Sequence, residues 1–285
     1  MSKVVVTGAN GQLATCIKNG IEHSDHTFIF LDKDALDITD ETQANALFKK
    51  EKPDFCVNCA AYTAVDKAES EPESAKRVNV DGPRNLAKAC RQFNAKLIHI
   101  STDFVFDGRK RTPYHEEDAT EPLGVYGRTK LAGEIAISEN LKSFVILRTS
   151  WLYSGEGNNF MKTMLRLGRK NQTLRVVNDQ YGTPTYGGDL ADFIISLIDK
   201  NTDKYGVYHF SNTGVATWYD FALAIFENAE IKCDVIPIKT REYPTAAKRP
   251  EYSILDKSKV LSVFGVQIPD WKDSLKKCLS KVTDT

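Results

Sequence analysis

Val4-Val5-Val6-Thr7-Gly8-Ala9-Asn10-Gly11-Gln12-Leu13-Ala14 runs from a β-branched apolar stretch through two glycines into a segment whose apolar residues recur with helical spacing. A strand, a tight turn and a helix start in that order aim backbone amides and the positive end of a helix dipole at a pyrophosphate. The spacing is G-x-x-G-x-x-A rather than G-x-G-x-x-G, but the turn directly follows the first strand, where a dinucleotide-binding turn belongs. Ala14 takes the place of the last glycine, which serves close packing of helix on strand and tolerates a methyl group. The turn from Gly8 through Asn10 to Gly11 is thus a candidate cofactor cradle.

Working outward, Asp32 ends the next apolar run, Phe28 to Leu31, 21 residues after Gly11. A carboxylate there accepts hydrogen bonds from an adenosine ribose and repels a 2′-phosphate, which leans toward NADH. Lys33 beside it offsets the repulsion, so NADPH stays open.

Further short apolar runs at 55–57, 97–100 and 144–147 alternate with helix-like stretches near 11–21, 41–51, 73–93 and 127–140. Continuous apolar strands between helices imply a parallel sheet covered on both faces. The expected fold is α/β, a doubly wound Rossmann-type parallel sheet with a smaller C-terminal α/β substrate-binding lobe. Residues 1–150 form the dinucleotide-binding domain in this reading, with segments of the second half free to rejoin it. Residues 151–285 form mainly the second lobe, with helices near 159–169, 188–199, 218–229 and 271–281 separated by Pro184, Pro237, Pro244 and Pro250. The 103–125 segment reads as a long loop, of a length that is usually functional or disordered.

Lysine plus arginine and aspartate plus glutamate both total 38 in 285 residues, so no global field recruits nucleic acid or an anionic membrane. A small-molecule partner fits better. No apolar run reaches membrane-spanning length, and Met1-Ser2-Lys3 leads straight into the first strand without the apolar core of a signal peptide. Six cysteines in such a chain read as reduced thiols, which points to the cytoplasm. Cys56 and Cys59 make a lone C-x-x-C whose first member sits inside a strand, so no metal site is expected.

The chemistry lies further along. Ser101-Thr102-Asp103 follows Leu97-Ile98-His99-Ile100, at the carboxyl end of a central strand, where open α/β sheets bind ligands. Tyr126 and Lys130, four apart, share a helix face. A carbonyl that accepts hydride gains negative charge on oxygen and needs a proton donor and strengthening hydrogen bonds. Tyr126 can donate the proton, Thr102 can hydrogen-bond the oxygen, and the ammonium of Lys130 is expected to hold the phenol's pKa below its usual value of about 10. His99, between apolar strand residues, reads as structural.

Together T-G-x-x-G, S-T-D and Y-x-x-x-K resemble the extended short-chain dehydrogenase/reductase superfamily. Asn58-Cys59-Ala60-Ala61-Tyr62-Thr63-Ala64-Val65-Asp66-Lys67-Ala68-Glu69, Ser101 to Gly108, Arg148-Thr149-Ser150-Trp151-Leu152-Tyr153, Asp179-Gln180-Tyr181-Gly182-Thr183-Pro184-Thr185 and Arg249-Pro250 with Ser253 and Leu255 are similar to the dTDP-4-dehydrorhamnose reductases. The resemblance spans nearly the whole chain. It implies reduction, by NADPH or NADH, of the C4 keto group of dTDP-4-dehydro-L-rhamnose. It makes Tyr126 the acid, Lys130 the residue that tunes it and binds the nicotinamide ribose, and Thr102 the third member. It also implies cofactor contacts from Gly11, Gln12 and Leu13, from Asp37 and Ile38 at the adenine, and from Ala60, Ala61, Tyr62 and Thr63 along the phosphates and ribose. Asp103, Trp151, Asn159 and Arg249 fall on the sugar-nucleotide side. A monomer or homodimer is expected; the magnesium-bridged pairing of some relatives is not, because the matching region reads Ala14-Thr15-Cys16-Ile17.

The chain departs from the family pattern at Phe104, where many members carry a second tyrosine, and at Gly124, where asparagine is common. Dehydratases of the superfamily place an Asp-Glu pair after the threonine, and Asp103-Phe104 lacks the second carboxylate. Epimerases share the triad and remain an alternative reading, as does a non-catalytic subunit resembling the regulatory subunit of methionine adenosyltransferase.

Overall fold

The computed structural model of the protein describes residues 1–22 and 24–282. Strands β1 (Lys3–Thr7), β2 (Thr27–Leu31), β3 (Phe55–Asn58), β4 (Lys96–Thr102) and β5 (Phe144–Thr149) form where the apolar runs stand. Among the described residues, one further strand, β6 (Gly206–His209), completes a parallel sheet in the order β6-β5-β4-β3-β1-β2.

Residues that alternate along each strand supply the two faces. Val4, Val6, Val57, Ile98 and Leu147 pack with Leu13 and Ile17 of α1 (Gln12–Gly20) and with Leu190, Ile194 and Leu197 of the Gly187–Asp199 helix. Val5, Cys56, Leu97 and Ile146 pack instead with Phe48, Leu86 and Ile137, which belong to helices Glu41–Glu51, Gly82–Phe93 and Val125–Asn140. Because β1 sits between β2 and β3, the connection after β1 runs outward to β2 while the connection after the neighbouring β3 runs the other way to β4. That switch point opens a crevice.

Two elements differ from the sequence reading. The helix expected over 73–93 is broken into Pro72–Lys76, a π-helical turn Arg77–Asp81 and Gly82–Phe93. A helix at Ser258–Phe264 was not foreseen; Gly265 ends it in the left-handed region, at φ +63°. The chain also returns to the sheet after Trp151, since β6 pairs with β5 and the Gly187–Asp199 helix packs beneath α1.

The rest of the second half has its own core. Helices Phe160–Gly168, Trp218–Asn228 and Trp271–Leu279 bury Met161, Phe221, Ile225 and Trp271 with Tyr153, beside a parallel pair of strands, Thr173–Val177 and Asp234–Ile238. The long 103–125 segment is anchored to the C-terminal part: Tyr114 N–H donates to Ile254 C=O at 2.8 Å, and its ring stacks on Phe106 at 4.3 Å.

Candidate active site

Gly8 adopts φ +71°, and a Cβ there would lie 2.8 Å from the Ala60 nitrogen, so only glycine lets the turn and the strand β3 exit approach this closely. Gly11 N–H closes the turn onto Gly8 C=O at 2.8 Å. Gly11 then caps α1 with no side-chain bond, and no acidic residue stands in the first turn. The leading amides of α1, Gln12 and Leu13 among them, are left for an anion. These residues fit a dinucleotide pyrophosphate.

Asn10 Nδ2 donates to Asp32 Oδ2 at 3.3 Å and Ala35 N–H donates to Oδ1 at 3.0 Å, which pins the Asp32 carboxylate at the end of β2. Burial pushes the Asp37 carboxyl up, but hydrogen bonds from Thr39 and the nearby charges of Lys33 and Arg77 hold it below its ordinary value. Ile38 lies next to it, wedged against Gly82, where any Cβ would strike its side chain. Its carbonyl accepts from Asn85 Nδ2 at 3.1 Å.

The Ala60–Thr63 segment leaves β3 across the same crevice. Asn79, buried in the π-helical turn, accepts from Tyr62 N–H at 2.8 Å and donates to Tyr62 C=O and to Thr129 Oγ1, both at 3.1 Å. Gly133 permits this contact, because a Cβ there would overlap the Asn79 carbonyl. Asn79 therefore fastens the segment to the Tyr126–Lys130 helix. The sequence does not single it out, because Arg77–Asp81 has the composition of an ordinary helix.

That helix begins at Val125, whose N–H donates to Glu69 Oε1 at 2.7 Å. A carboxylate reaching in from another segment caps the N-terminus, and a Cβ at Gly124 would come within 2.6 Å of it. The glycine in place of asparagine lets the Glu69 carboxylate sit this close to the helix start.

Thr102 Oγ1 donates to Asp103 Oδ1 at 3.0 Å and accepts from Phe104 N–H at 3.2 Å. Asp103 is buried and its Oδ2 makes no well-formed hydrogen bond, although the Ser253 hydroxyl lies close. Burial raises its pKa to about 6, with Ser253 and Thr102 pulling the other way. Phe104 packs edge-on against Tyr126, with ring centroids 5.7 Å apart. It contributes an apolar wall where a phenol would have offered a hydrogen bond.

The expected effect of Lys130 on Tyr126 is not what the geometry gives. Burial raises the phenol to about 12; the Thr102 hydroxyl opposes this and the Asp103 charge adds to it. Lys130 Nζ donates instead to Ile100 C=O at 2.6 Å and lies 3.4 Å from His99 Nε2. Only 2% of Lys130 is exposed, and burial lowers its pKa to about 8 against the pull of Glu134 and Cys59. Burial therefore outweighs the pairwise attraction that the four-residue spacing suggests. The result is a protonated tyrosine at neutral pH, the state a proton donor needs.

Glu134, one turn beyond Lys130, accepts from Arg148 Nε at 3.0 Å and from NH2 at 2.7 Å, and Ser101 Oγ donates to it as well. This ion pair lies under the site and is 5% exposed on each side.

Trp151 stands two residues past Thr149, which pairs with Thr102 across β4 and β5. Its φ is +46°, and its ring stacks on Trp218 at 3.6 Å with 8° between planes. Trp218 Nε1 donates to Gln180 Oε1 at 3.0 Å, and Gly182 makes room for the Trp151 ring. Trp218 and Gln180 join the site only through the fold, 67 and 29 positions beyond Trp151. Asn159 Nδ2 donates to Gln12 Oε1 at 2.7 Å and Gln12 Nε2 donates to Leu152 C=O at 3.1 Å, so Asn159 meets the Gly8–Leu13 turn. Its Oδ1 caps the Phe160–Gly168 helix. Arg249 makes a two-pronged contact with Asp66, at 3.0 and 2.6 Å.

A doubly wound sheet whose carboxyl edge carries a glycine turn, a strand-end threonine and a Tyr-x-x-x-Lys helix defines the extended short-chain dehydrogenase/reductase class. Residues 2–284 match the RmlD substrate binding domain family. The chain is 43% identical over 287 residues to a dTDP-4-dehydrorhamnose reductase of Aggregatibacter actinomycetemcomitans, spanning 97% of this chain and 98% of that one. The crystal structure of a dTDP-4-dehydrorhamnose reductase from Clostridium acetobutylicum superposes with a TM-score of 0.95 at 42% identity, covering 98% of both chains. The Bacillus anthracis dTDP-4-dehydrorhamnose reductase, crystallised in complex with NADP, gives 0.95 at 41% identity over 98% of this chain and 99% of that one. The chain belongs to the dTDP-4-dehydrorhamnose reductase family.

Proposed function

We propose that this protein reduces the C4 keto group of dTDP-4-dehydro-L-rhamnose to the alcohol, giving dTDP-L-rhamnose for polysaccharide synthesis, with NADPH or NADH as reductant. The observation that carries the reading is the meeting of Tyr126, whose phenol is pushed up to about 12, with the buried Thr102 and Lys130 in a chain of this family. The reduced nicotinamide, when bound, supplies hydride to C4. The Gly8–Leu13 turn, Asp32, Asp37, Ile38 and the Ala60–Thr63 segment hold the dinucleotide, with Asn79 fixing the last of these.

Tyr126 gives its phenolic proton to the carbonyl oxygen as charge develops there. Thr102 turns its hydroxyl from Asp103 to that oxygen, and the Asp103 carboxylate keeps the threonine oriented between turnovers. Lys130 holds the ribose, and solvent returns a proton to the phenolate. The apolar Phe104 ring supplies no second acid or base for elimination, which favours simple reduction over dehydration. Asp103, Trp151 on its Trp218 platform, Asn159 and Arg249 form the sugar-nucleotide side. Residues 1–150 with β6 and the Gly187–Asp199 helix make the cofactor lobe, and most of 151–285 makes the other.

Among the described residues no helix is long and apolar enough to cross a membrane. All six cysteines are free thiols. A cytoplasmic monomer or homodimer acting on a small sugar nucleotide accords with both. Following nicotinamide absorbance with dTDP-4-dehydro-L-rhamnose and each reduced cofactor, and identifying the sugar formed, tests the reading. A partner protein that binds this chain while no reduction occurs would favour the regulatory alternative.

A further inference from the structure

The strand histidine next to Lys130 has an orientation that can be derived from its neighbours. Ala60 N–H, which can only donate, donates to Asn58 Oδ1 at 3.1 Å, and Thr7 Oγ1 donates to the same oxygen at 2.7 Å. Asn58 therefore turns its NH₂ toward His99, with Nδ2 3.0 Å from Nδ1. An amide nitrogen offers no lone pair, so Nδ1 accepts and the neutral ring carries its proton on Nε2. The ring is neutral because it is fully buried, and burial first, then the Lys130 charge, hold its pKa well below the ordinary histidine value. Nε2 faces Lys130 Nζ at 3.4 Å.

We propose that Asn58 and His99 are positioning residues that set the charge of Lys130: the proton that Asn58 confines to Nε2 points at the lysine nitrogen, which the free amine can accept and the ammonium cannot. The other groups around Nζ are accounted for. Ile100 C=O on β4 accepts from it in either form. Glu134, on the lysine's own helix, favours the ammonium, as does Cys59 beyond β3. Arg148 is engaged by Glu134, and Tyr126 is a neutral phenol. His99 thus opposes Glu134, and the two leave Lys130 able to change charge near neutral pH. A ligand that offers hydroxyl oxygens, as a ribose does, draws Nζ away from the imidazole N–H, and its binding takes up a proton.

The inference rests on reading Lys130 as the ribose-facing group of the triad, so the test is made without substrate. In the full-length protein, ¹⁵N shifts of the imidazole report the His99 tautomer, and a ¹³Cε-lysine label reports the Lys130 titration, assigned by its loss in Lys130→Met. The expected native ring is protonated on Nε2. Replacing the ring's donor in His99→Phe, or reversing polarity at Nδ1 in Asn58→Asp, moves the Lys130 midpoint up by about one pH unit or more, while Glu134→Gln moves it down. Calorimetry of NADPH and NADH binding at pH 8 in two buffers of different ionisation enthalpy reads proton uptake in the native protein. An Nδ1-protonated native ring, an unmoved Lys130 midpoint in a folded His99→Phe or Asn58→Asp variant, or binding of both cofactors without proton uptake overturns the proposal. A failure to reduce the sugar nucleotide would leave these readouts intact and would count against the proposed function alone.

Discussion

Asn79 brackets the peptide unit of Tyr62, accepting from its N–H at 2.8 Å and donating to its C=O at 3.1 Å. A π-helical turn has one residue more per turn than the helix around it, and here that extra residue brings a buried amide to the cofactor crevice. Replacing it leaves buried backbone groups unpaired. Asn79→Leu should cost about 2–4 kcal/mol in denaturant unfolding and weaken dinucleotide binding about tenfold. Unchanged binding by the folded variant would show that the Ala60–Thr63 segment holds its shape without Asn79.

Tyr126→Phe removes the only proton that the mechanism delivers to the substrate oxygen. The single-turnover hydride-transfer rate should fall by about 10²–10⁴-fold, and the affinity for the reduced cofactor should change by less than about twofold. Near-native turnover would assign the acid elsewhere.

Asp103 opposes stability at neutral pH. Its carboxyl titrates near 6 in the fold against 3.8 as a free side chain, so the folded state binds the proton more tightly. The favourable contribution is complete below about pH 4 and is lost as pH rises through 6, where the buried charge costs about 3 kcal/mol. Asp103→Asn keeps an acceptor for Thr102 without the charge. Its Tm should exceed that of the native protein at pH 8 and converge with it at pH 3.5, while activity falls; a Tm gain independent of pH would contradict the burial account.

The fold was largely legible because buried parallel strands have a simple signature. Val4-Val5-Val6, Phe55-Cys56-Val57 and Leu97-Ile98 are apolar on both faces, and each became a strand of the sheet. The π-helical turn was not legible, since Arg77–Asp81 has an ordinary helical composition and its irregularity arises from contacts with Tyr62 and Thr129. Trp218 was read only as part of a helix because the stack with Trp151 depends on tertiary packing. At Tyr126 and Lys130 the residues were legible and their electrostatics were not, because spacing reveals proximity and says nothing about burial. His99 was read as structural from the same strand pattern that hides its polar partners, Asn58 and Lys130.

Arg148 and Glu134 form a buried pair whose two partners depend on one another. Arg148→Met leaves the carboxylate uncompensated and should destabilise the protein by about 3–5 kcal/mol. A combined Glu134→Gln, Arg148→Met variant should recover part of that loss in equilibrium unfolding. Additive losses would mean that the pair is not energetically coupled.

Trp218 supports Trp151 through a stack with a 3.6 Å centroid separation. Loss of the platform in Trp218→Ala should raise KM for the sugar nucleotide about 3–10-fold, corresponding to roughly 0.5–1.5 kcal/mol of aromatic contact, with little change in cofactor affinity. An unaltered KM would remove Trp151 from the substrate side.

The most direct test of carbonyl reduction uses nicotinamide deuterated at the transferred position, with dTDP-4-dehydro-L-rhamnose as acceptor. The account predicts one deuterium at C4 of dTDP-L-rhamnose for each reduced cofactor oxidised. Sugar turnover with no net loss of reduced nicotinamide, or product without deuterium at C4, would contradict it.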